Sequence, residues 1–120
     1  MLSKETVSYC RNRLVELRAE IINLSNRIKN DYQKEDHGKE DADLTMAILA
    51  EKAFATRQKR LRKKLEDIES ALAKIHHGTY GLCEETEEVI AEKRLKTIPW
   101  TRLSLEGAEI REQFGKKRRA

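Results

Sequence analysis

A heptad-like spacing of apolar residues runs through the first 30 positions of this 120-residue chain. Apolar side chains recur at intervals of three and four residues, at Val7, Cys10, Leu14, Leu17, Ile21, Leu24 and Ile28. Such spacing places all of them on one narrow stripe of an α-helix, while charged residues occupy the other faces. The pattern predicts a helix that pairs with a second helix along this stripe, with Cys10 as a small buried apolar residue.

A second stripe of the same kind lies in the middle of the chain. Its members are Leu61, Leu65, Ile68, Leu72 and Ile75, extended upstream by Phe54, Ala47 and Leu44, with polar interruptions at Glu51 and Gln58. The pattern predicts a helix over about 41–77, ended by Gly78 and Gly81.

The segment between the two stripes is short and polar, which favours a helical hairpin. It covers roughly 34–40, and His37-Gly38 is its strong turn signal. We therefore predict an all-α protein with an antiparallel coiled-coil hairpin over 1–77. An intermolecular coiled coil is the alternative that the two stripes leave open.

Charged residues make up 38% of the chain and aromatic residues only 5%, which leaves little material for a core and a deep substrate pocket together. No Gly-rich phosphate loop or Ser/His/Asp arrangement is present, so we do not expect an enzyme. The pair His76-His77 with Cys83 lacks a fourth zinc ligand. Two separated cysteines, no apolar leader and no membrane-length apolar segment predict a cytoplasmic protein.

Charge is concentrated in three places. The predicted hairpin tip, at about 34–43, is acidic, with Glu35, Asp36, Glu40, Asp41 and Asp43. Residues 57–64 read RQKRLRKK. The tail at 116–120 carries four positive charges, and the net charge of the whole chain is +4. The basic stretch is suited to an acidic protein surface or to a nucleic-acid backbone.

The last third of the chain predicts a small globular region over 78–115. A turn at 78–83 precedes a short helix at 87–95, an extended segment at 97–100 and a closing helix capped by Ser104. The residues expected to pack into a compact knot are Tyr80, Leu82, Trp100 and Leu103.

This last third resembles the DksA/TraR family of bacterial transcription regulators. In that family a G-x-[FY]-G-x-C turn opens a zinc finger, followed by R-L, a proline and a second cysteine pair. The matching residues here are Gly78, Tyr80, Gly81, Cys83, Ile90, Arg94, Leu95 and Pro99. The family's four zinc cysteines fall at Cys83, Thr86, Ser104 and Gly107. The resemblance therefore implies a degenerate finger that holds no zinc and needs no cofactor.

The resemblance also implies a function. Family members bind RNA polymerase through its secondary channel without contacting promoter DNA, and an acidic tip approaches the catalytic Mg²⁺. The family's D-x-x-D-x-A tip motif aligns with Glu40, Asp43 and Thr45, beside Asp41. The implied docking residues are Arg57, Arg60 and Arg94. The family's positions for the alarmone ppGpp hold Asp67, Ile98 and Ala108, which implies weak or no ppGpp dependence.

Two other classes of function remain open at this point. The stripes suit a structural coiled-coil adaptor that dimerises, and the basic stretch with the tail suits a small nucleic-acid-binding protein. We expect a monomer that acts on polymerase and does not read DNA sequence.

Overall fold

The structure, a computed structural model, describes residues 2–35 and 41–119, apart from the side chains of 41–43 and 116–119. The described residues form four helices: α1 (Lys4–Lys34), α2 (Asp41–His77), α3 (Glu92–Thr97) and α4 (Leu105–Arg119). Within them, the β-structure is an isolated antiparallel bridge between Leu82 and Val89. The all-α prediction is confirmed, and α2 begins and ends at the predicted residues. No described helix is long and apolar enough to cross a membrane.

Local sequence explains where the two long helices begin and end. The Ser3 hydroxyl accepts a hydrogen bond from the Thr6 amide at 3.1 Å, which is an N-cap for α1. At the end of α2, Gly78 adopts a φ of 77°. The Thr79 amide then donates to the Lys74 carbonyl at 2.9 Å. This is the Schellman arrangement, and it requires a residue that tolerates the left-handed region.

The chain divides into two compact units, to which α1 and α2 both contribute. Unit 1 contains Met1–Leu17 and Asp67–Ala120, and unit 2 contains Arg18–Glu66. The sequence predicted another division, with a hairpin over 1–77, a globular region over 78–115 and a tail at 116–120. Its first boundary coincides with the end of α2, and the division stays a prediction.

In unit 2 the two helical segments pair in antiparallel fashion. Ser25 contacts Gln58, and seven residues further along α1 the ring of Tyr32 stacks on that of Phe54. The α2 partner number falls as the α1 number rises, which is the signature of a hairpin. The apolar stripes therefore meet within one chain in this unit.

Gln58, which interrupts the α2 stripe, is buried, and both polar atoms of its amide are hydrogen-bonded to α1. Its amide oxygen accepts a bond from the Ser25 hydroxyl at 2.7 Å, and its amide nitrogen donates to the Ser25 carbonyl at 3.3 Å. Sliding one helix along the other would leave a buried amide without partners, so this pair fixes the register of the hairpin.

The Ser25→Ala variant is expected to lose about 1–2 kcal/mol of unfolding free energy, because the Gln58 amide oxygen is left buried without its donor. The double variant Ser25→Ala/Gln58→Leu removes both polar groups and is expected to recover most of that loss. Urea unfolding followed by circular dichroism measures both. Equal stability of the single and double variants would contradict this role for the pair.

Unit 1 is built around a small core that contains both cysteines. Cys10, Cys83, Ile90 and Leu95 are buried, and Leu2, Tyr80 and Leu103 pack against them as partly buried residues. The burial of Cys10 confirms the prediction. Leu82, which was predicted to join the knot, is 44% exposed instead, because its backbone bridge to Val89 turns both side chains outward.

The predicted helix at 87–95 is wrong in its first half. Glu87 has a φ of 60°, and α3 begins only at Glu92. The intervening backbone is bonded to the preceding turn, since the Ile90 amide donates to the Gly81 carbonyl at 2.7 Å. Those bonds replace helical ones. The extended segment predicted at 97–100 is also shorter than expected: Thr97 closes α3, and Ile98, with a φ of −129°, is followed by a turn.

The upstream extension of the α2 stripe is also wrong at its end. Leu44 is 54% exposed, whereas Phe54 is half-buried against Tyr32. From the Tyr32–Phe54 pair, only two residues of α1 remain before it ends at Lys34, while α2 extends thirteen residues in the same direction to Asp41. Helix α1 is therefore too short to cover Leu44.

Candidate functional site

The four positions of the degenerate finger lie together in unit 1. Cys83 follows the turn at Gly81, which has a φ of 90°. Its amide donates to the Glu88 carbonyl at 2.8 Å, which folds the loop containing Thr86 back on itself. Ser104 immediately precedes α4 and Gly107 lies in its first turn. The Ser104 hydroxyl accepts a hydrogen bond from the Gly107 amide at 3.0 Å, so Ser104 is the predicted N-cap.

The Cys83 sulfur is enclosed by the residues that occupy the other three positions. It accepts hydrogen bonds from the Thr86 amide at 3.5 Å and from the Ser104 hydroxyl at 3.4 Å. A Cβ atom built on Gly107 would lie 2.5 Å from this sulfur. Direct packing and hydrogen bonds thus occupy the space that a metal ion with four thiolates would need.

Burial acts to raise the pKa of the Cys83 thiol, but the hydrogen bonds from Ser104 and Thr86 outweigh it and lower the pKa to about 6. The four positions nevertheless supply one thiol, two hydroxyl groups and, at the glycine, no side-chain donor. That is not a zinc donor set. Across the part of the chain that the structure describes, no group of three His, Cys, Asp or Glu residues is placed to hold a metal. The finger residues do not fit zinc.

Ion pairs around the finger tie α2 to the segments that follow it. Arg102 donates through Nε to Asp67 on α2 at 2.9 Å, and it also lies 3.6 Å from Glu84. Lys74 of α2 contacts Glu84 at 3.0 Å. Burial acts to raise the pKa of Glu84, but Lys74 and then the two nearby arginines lower it. This network stabilises the knot, and sequence patterns alone did not identify it.

Arg94, a predicted docking residue, is engaged within the knot. Its Nε donates to the Leu103 carbonyl at 2.9 Å, and the residue is half-buried. Because this bond joins α3 to the segment before α4, Arg94 has a structural role here. Its docking role stays a prediction.

The other predicted docking residues, Arg57 and Arg60, are both exposed on α2. They belong to unit 2, whereas Arg94 belongs to unit 1. Their exposure leaves both guanidinium groups accessible to a partner of opposite charge.

The predicted tip is described only in part. Glu40 lies outside the described residues. Asp41 and Asp43 belong to the first turn of α2, but their side chains lie outside the description. Thr45, in the next turn, is exposed.

Exposed apolar side chains accompany Thr45, and three of them, Met46, Ile48 and Leu49, lie outside the predicted stripe. The exposed members are Leu44, Met46, Ile48 and Leu49, with exposed fractions between 47% and 64%. Their spacing distributes them around α2 instead of along one stripe, which could have shown that this part of α2 extends past its partner helix.

The three positions that the resemblance assigns to ppGpp contacts hold no cationic residue. Asp67 forms the ion pair with Arg102, and Ile98 and Ala108 are both half-buried. No positive side chain is supplied by these three residues.

Comparison with known proteins identifies the family to which the chain belongs. A family sequence model, described as the prokaryotic DksA/TraR C4-type zinc finger, matches residues 78–113 of this chain. An uncharacterised protein of Aquifex aeolicus is 32% identical over 114 residues, which cover 90% of this chain and 77% of that protein. This chain belongs to the DksA/TraR family.

Two named proteins show how this chain relates to the rest of the family. The RNA polymerase-binding transcription factor DksA of Caulobacter vibrioides is 29% identical over 113 residues, 93% of this chain and 80% of that protein. The solved structure of transcription factor DksA2 from Pseudomonas aeruginosa has the same fold. Its TM-score is 0.82 at 24% identity, and the match covers 95% of this chain and 88% of that one.

Proposed function

We propose that this protein is a transcription regulator that binds RNA polymerase. The observation that carries the proposal is the family membership, in which the Caulobacter relative is named an RNA polymerase-binding transcription factor and aligns with 93% of this chain. The pairing of the two stripes within unit 2 supports it, because those apolar faces are then used inside the chain and need no second copy. We accordingly propose a monomer in the cytoplasm that performs no covalent chemistry.

The hairpin is proposed to enter the secondary channel with its acidic tip towards the catalytic Mg²⁺. Asp41 and Asp43, with Glu40 and Thr45 beside them, are the proposed tip residues. Support comes from the position of the first turn of α2, because Asp41 lies thirteen residues before Phe54, which stacks on Tyr32 of α1. Carboxylates delivered there would act on the initiation complex by charge alone.

Docking is proposed to rest mainly on Arg57 and Arg60, because both are exposed on α2 and can meet an acidic surface of polymerase. Arg94 is proposed to contribute indirectly, through its bond to the Leu103 carbonyl. The regulator is proposed to act without zinc and with weak or no ppGpp dependence. The ion pair of Asp67 with Arg102 supports the second point, since it places a carboxylate where a phosphate would need a cation.

The Asp43→Asn variant tests the proposed role of the tip. It is expected to bind core polymerase as the parent does in a pull-down but to lose roughly tenfold of its effect on transcription in a purified system. The reason is that one charge-assisted contact costs about 1.5–3 kcal/mol.

The matched control is Asp31→Asn, which removes the same charge from an exposed position on α1 and is expected to behave like the parent. A parent chain that does not bind polymerase at micromolar concentration would refute the proposed function. An Asp43→Asn variant with full activity would refute the proposed tip alone.

A further inference from the structure

Two adjoining grooves run along one side of unit 2 and share Lys29, Gln58 and Arg62 among the residues that line them. The residues that line the first groove include the aliphatic Leu61 and Leu65. The second is lined by Tyr32 and Phe54 and by Lys59. Together the two grooves combine apolar lining residues with positively charged ones.

The positive charge of these grooves is not neutralised within the described residues. Lys29, Lys59 and Arg62 are exposed, and no ion pair or hydrogen bond engages their side chains there. Glu51 lines the second groove as well, which leaves an excess of two positive charges along the two grooves. Lys59 and Arg62 are three positions apart on α2, so their side chains are neighbours.

The aromatic residues add a second kind of contact. The rings of Tyr32 and Phe54 stack with their centroids 4.2 Å apart and an interplanar angle of 11°. Both residues are half-buried and line the groove, so part of their ring surface faces its open space. Proteins that bind single-stranded nucleic acids combine aromatic rings with cationic side chains, because the phosphates contact the cations and the bases stack on the rings.

We propose that this side of unit 2 binds single-stranded nucleic acid, with Lys29, Lys59 and Arg62 on successive phosphates and the Tyr32–Phe54 pair against a base. An acidic protein segment would satisfy the three cations but would make no use of the flat rings. The proposal rests on unit 2 alone and does not depend on polymerase binding.

The test measures the affinity of the full-length protein for fluorescein-labelled oligo(dT) and oligo(U) of about 12 nucleotides, over a range of salt concentrations. The variant Lys59→Gln/Arg62→Gln is compared with Arg57→Gln/Arg60→Gln. The second pair removes the same charge from the same helix, but neither of its residues lines the grooves. The basic tail is present in every protein, so it cancels from the comparison.

The groove variant is expected to bind roughly tenfold more weakly, and its slope of log affinity against log salt is expected to fall by about 1.4, since each lost phosphate contact removes about 0.7. The control pair is expected to keep the slope of the parent. Equal losses in the two double variants would overturn the proposal, because the binding would then follow overall charge.

A second arm keeps the protein unchanged and alters the ligand. An oligonucleotide with abasic positions is expected to bind about tenfold more weakly than oligo(dT), because stacking on the rings is lost. Equal binding of the abasic strand would overturn the role of the rings. A poly-glutamate peptide that binds as tightly as oligo(dT), and loses affinity with the groove variant, would assign the grooves to an acidic protein instead.

Polymerase pull-down of the same variants separates this proposal from the proposed function. The Arg57→Gln/Arg60→Gln protein is expected to lose polymerase and keep oligonucleotide, and the groove variant to do the reverse. If neither double variant loses oligonucleotide binding, the groove proposal is wrong. That result would not affect the proposed binding to polymerase.

Discussion

A variant that carries Thr86→Cys, Ser104→Cys and Gly107→Cys is expected to bind one zinc ion per chain, whereas the parent is expected to bind none. The Ser104 oxygen lies 3.4 Å from the Cys83 sulfur, near the ~3.8 Å separation of two sulfurs in a tetrahedral site with Zn–S bonds of about 2.3 Å. Thr86 and Gly107 already lie against the same sulfur. The four positions therefore surround one point, although the parent chain supplies only one thiolate, and zinc binding has to move the Cys83 sulfur away from the Cβ that is added at Gly107.

Zinc is expected to make the stability of this triple variant sensitive to a chelator. Bound metal stabilises the folded state by about 4 kcal/mol when its free concentration is a thousand times the Kd. For a chain of this size, that corresponds to a rise in Tm of about 10 °C or more, removed by EDTA. Metal content after dialysis and thermal unfolding with and without EDTA measure the two effects.

The matched control for this variant is Gly107→Ala. It adds the Cβ that would press on the Cys83 sulfur but supplies no ligand, so a loss of about 1–3 kcal/mol with no zinc is expected. A parent protein that retains one equivalent of zinc after dialysis would refute our interpretation of the finger. A triple variant that folds but binds no zinc would show that these backbone positions are too far from tetrahedral geometry.

The Leu95→Ala variant is expected to lose about 3 kcal/mol of unfolding free energy. Leu95 is fully buried in the core of unit 1, where it packs with Cys10, Cys83 and Ile90. Truncating this side chain removes the favourable free energy of burying it away from water. It also leaves a cavity that the surrounding core can fill only in part. Because a small unit has few core residues, the loss is a large fraction of its stability.

Urea unfolding followed by the fluorescence of Trp100, the chain's one tryptophan, reports on unit 1. The control is Leu105→Ala, because Leu105 is 64% exposed at the start of α4 and is expected to change stability by less than about 0.5 kcal/mol. If both leucine variants unfold at the same urea concentration, Leu95 does not hold the core together.

The sequence predicted the hairpin well because a three- and four-residue spacing has one simple structural solution, two helices paired along their stripes. It failed where local hydrogen bonds decide the backbone. Glu87 adopts a left-handed conformation because the segment that follows it in sequence is hydrogen-bonded to the turn at Gly81. No periodicity of apolar residues indicates such a bond. It also failed at Leu44, whose apolar character fits the stripe although α1 ends before reaching it.

For the candidate site, sequence resemblance identified the four finger positions, and the structure brings these four residues together around the Cys83 sulfur. The bond from Arg94 to the Leu103 carbonyl could not be predicted, because it depends on how α3 is placed against the segment before α4. The grooves of unit 2 were equally hidden. The RQKRLRKK stretch shows its charge, but only the fold separates Lys59 and Arg62 from Arg57 and Arg60.

Both cysteines are buried, with Cys10 and Cys83 exposing 1% or less of their surface. A thiol-reactive dye or crosslinker added to the folded protein would therefore meet almost no native sulfur, even though the Cys83 pKa is low. A Thr45→Cys substitution would place one reachable thiol beside the acidic residues of α2. Site-directed crosslinking from that position could then map which polymerase segments lie within reach, without first deleting either native cysteine.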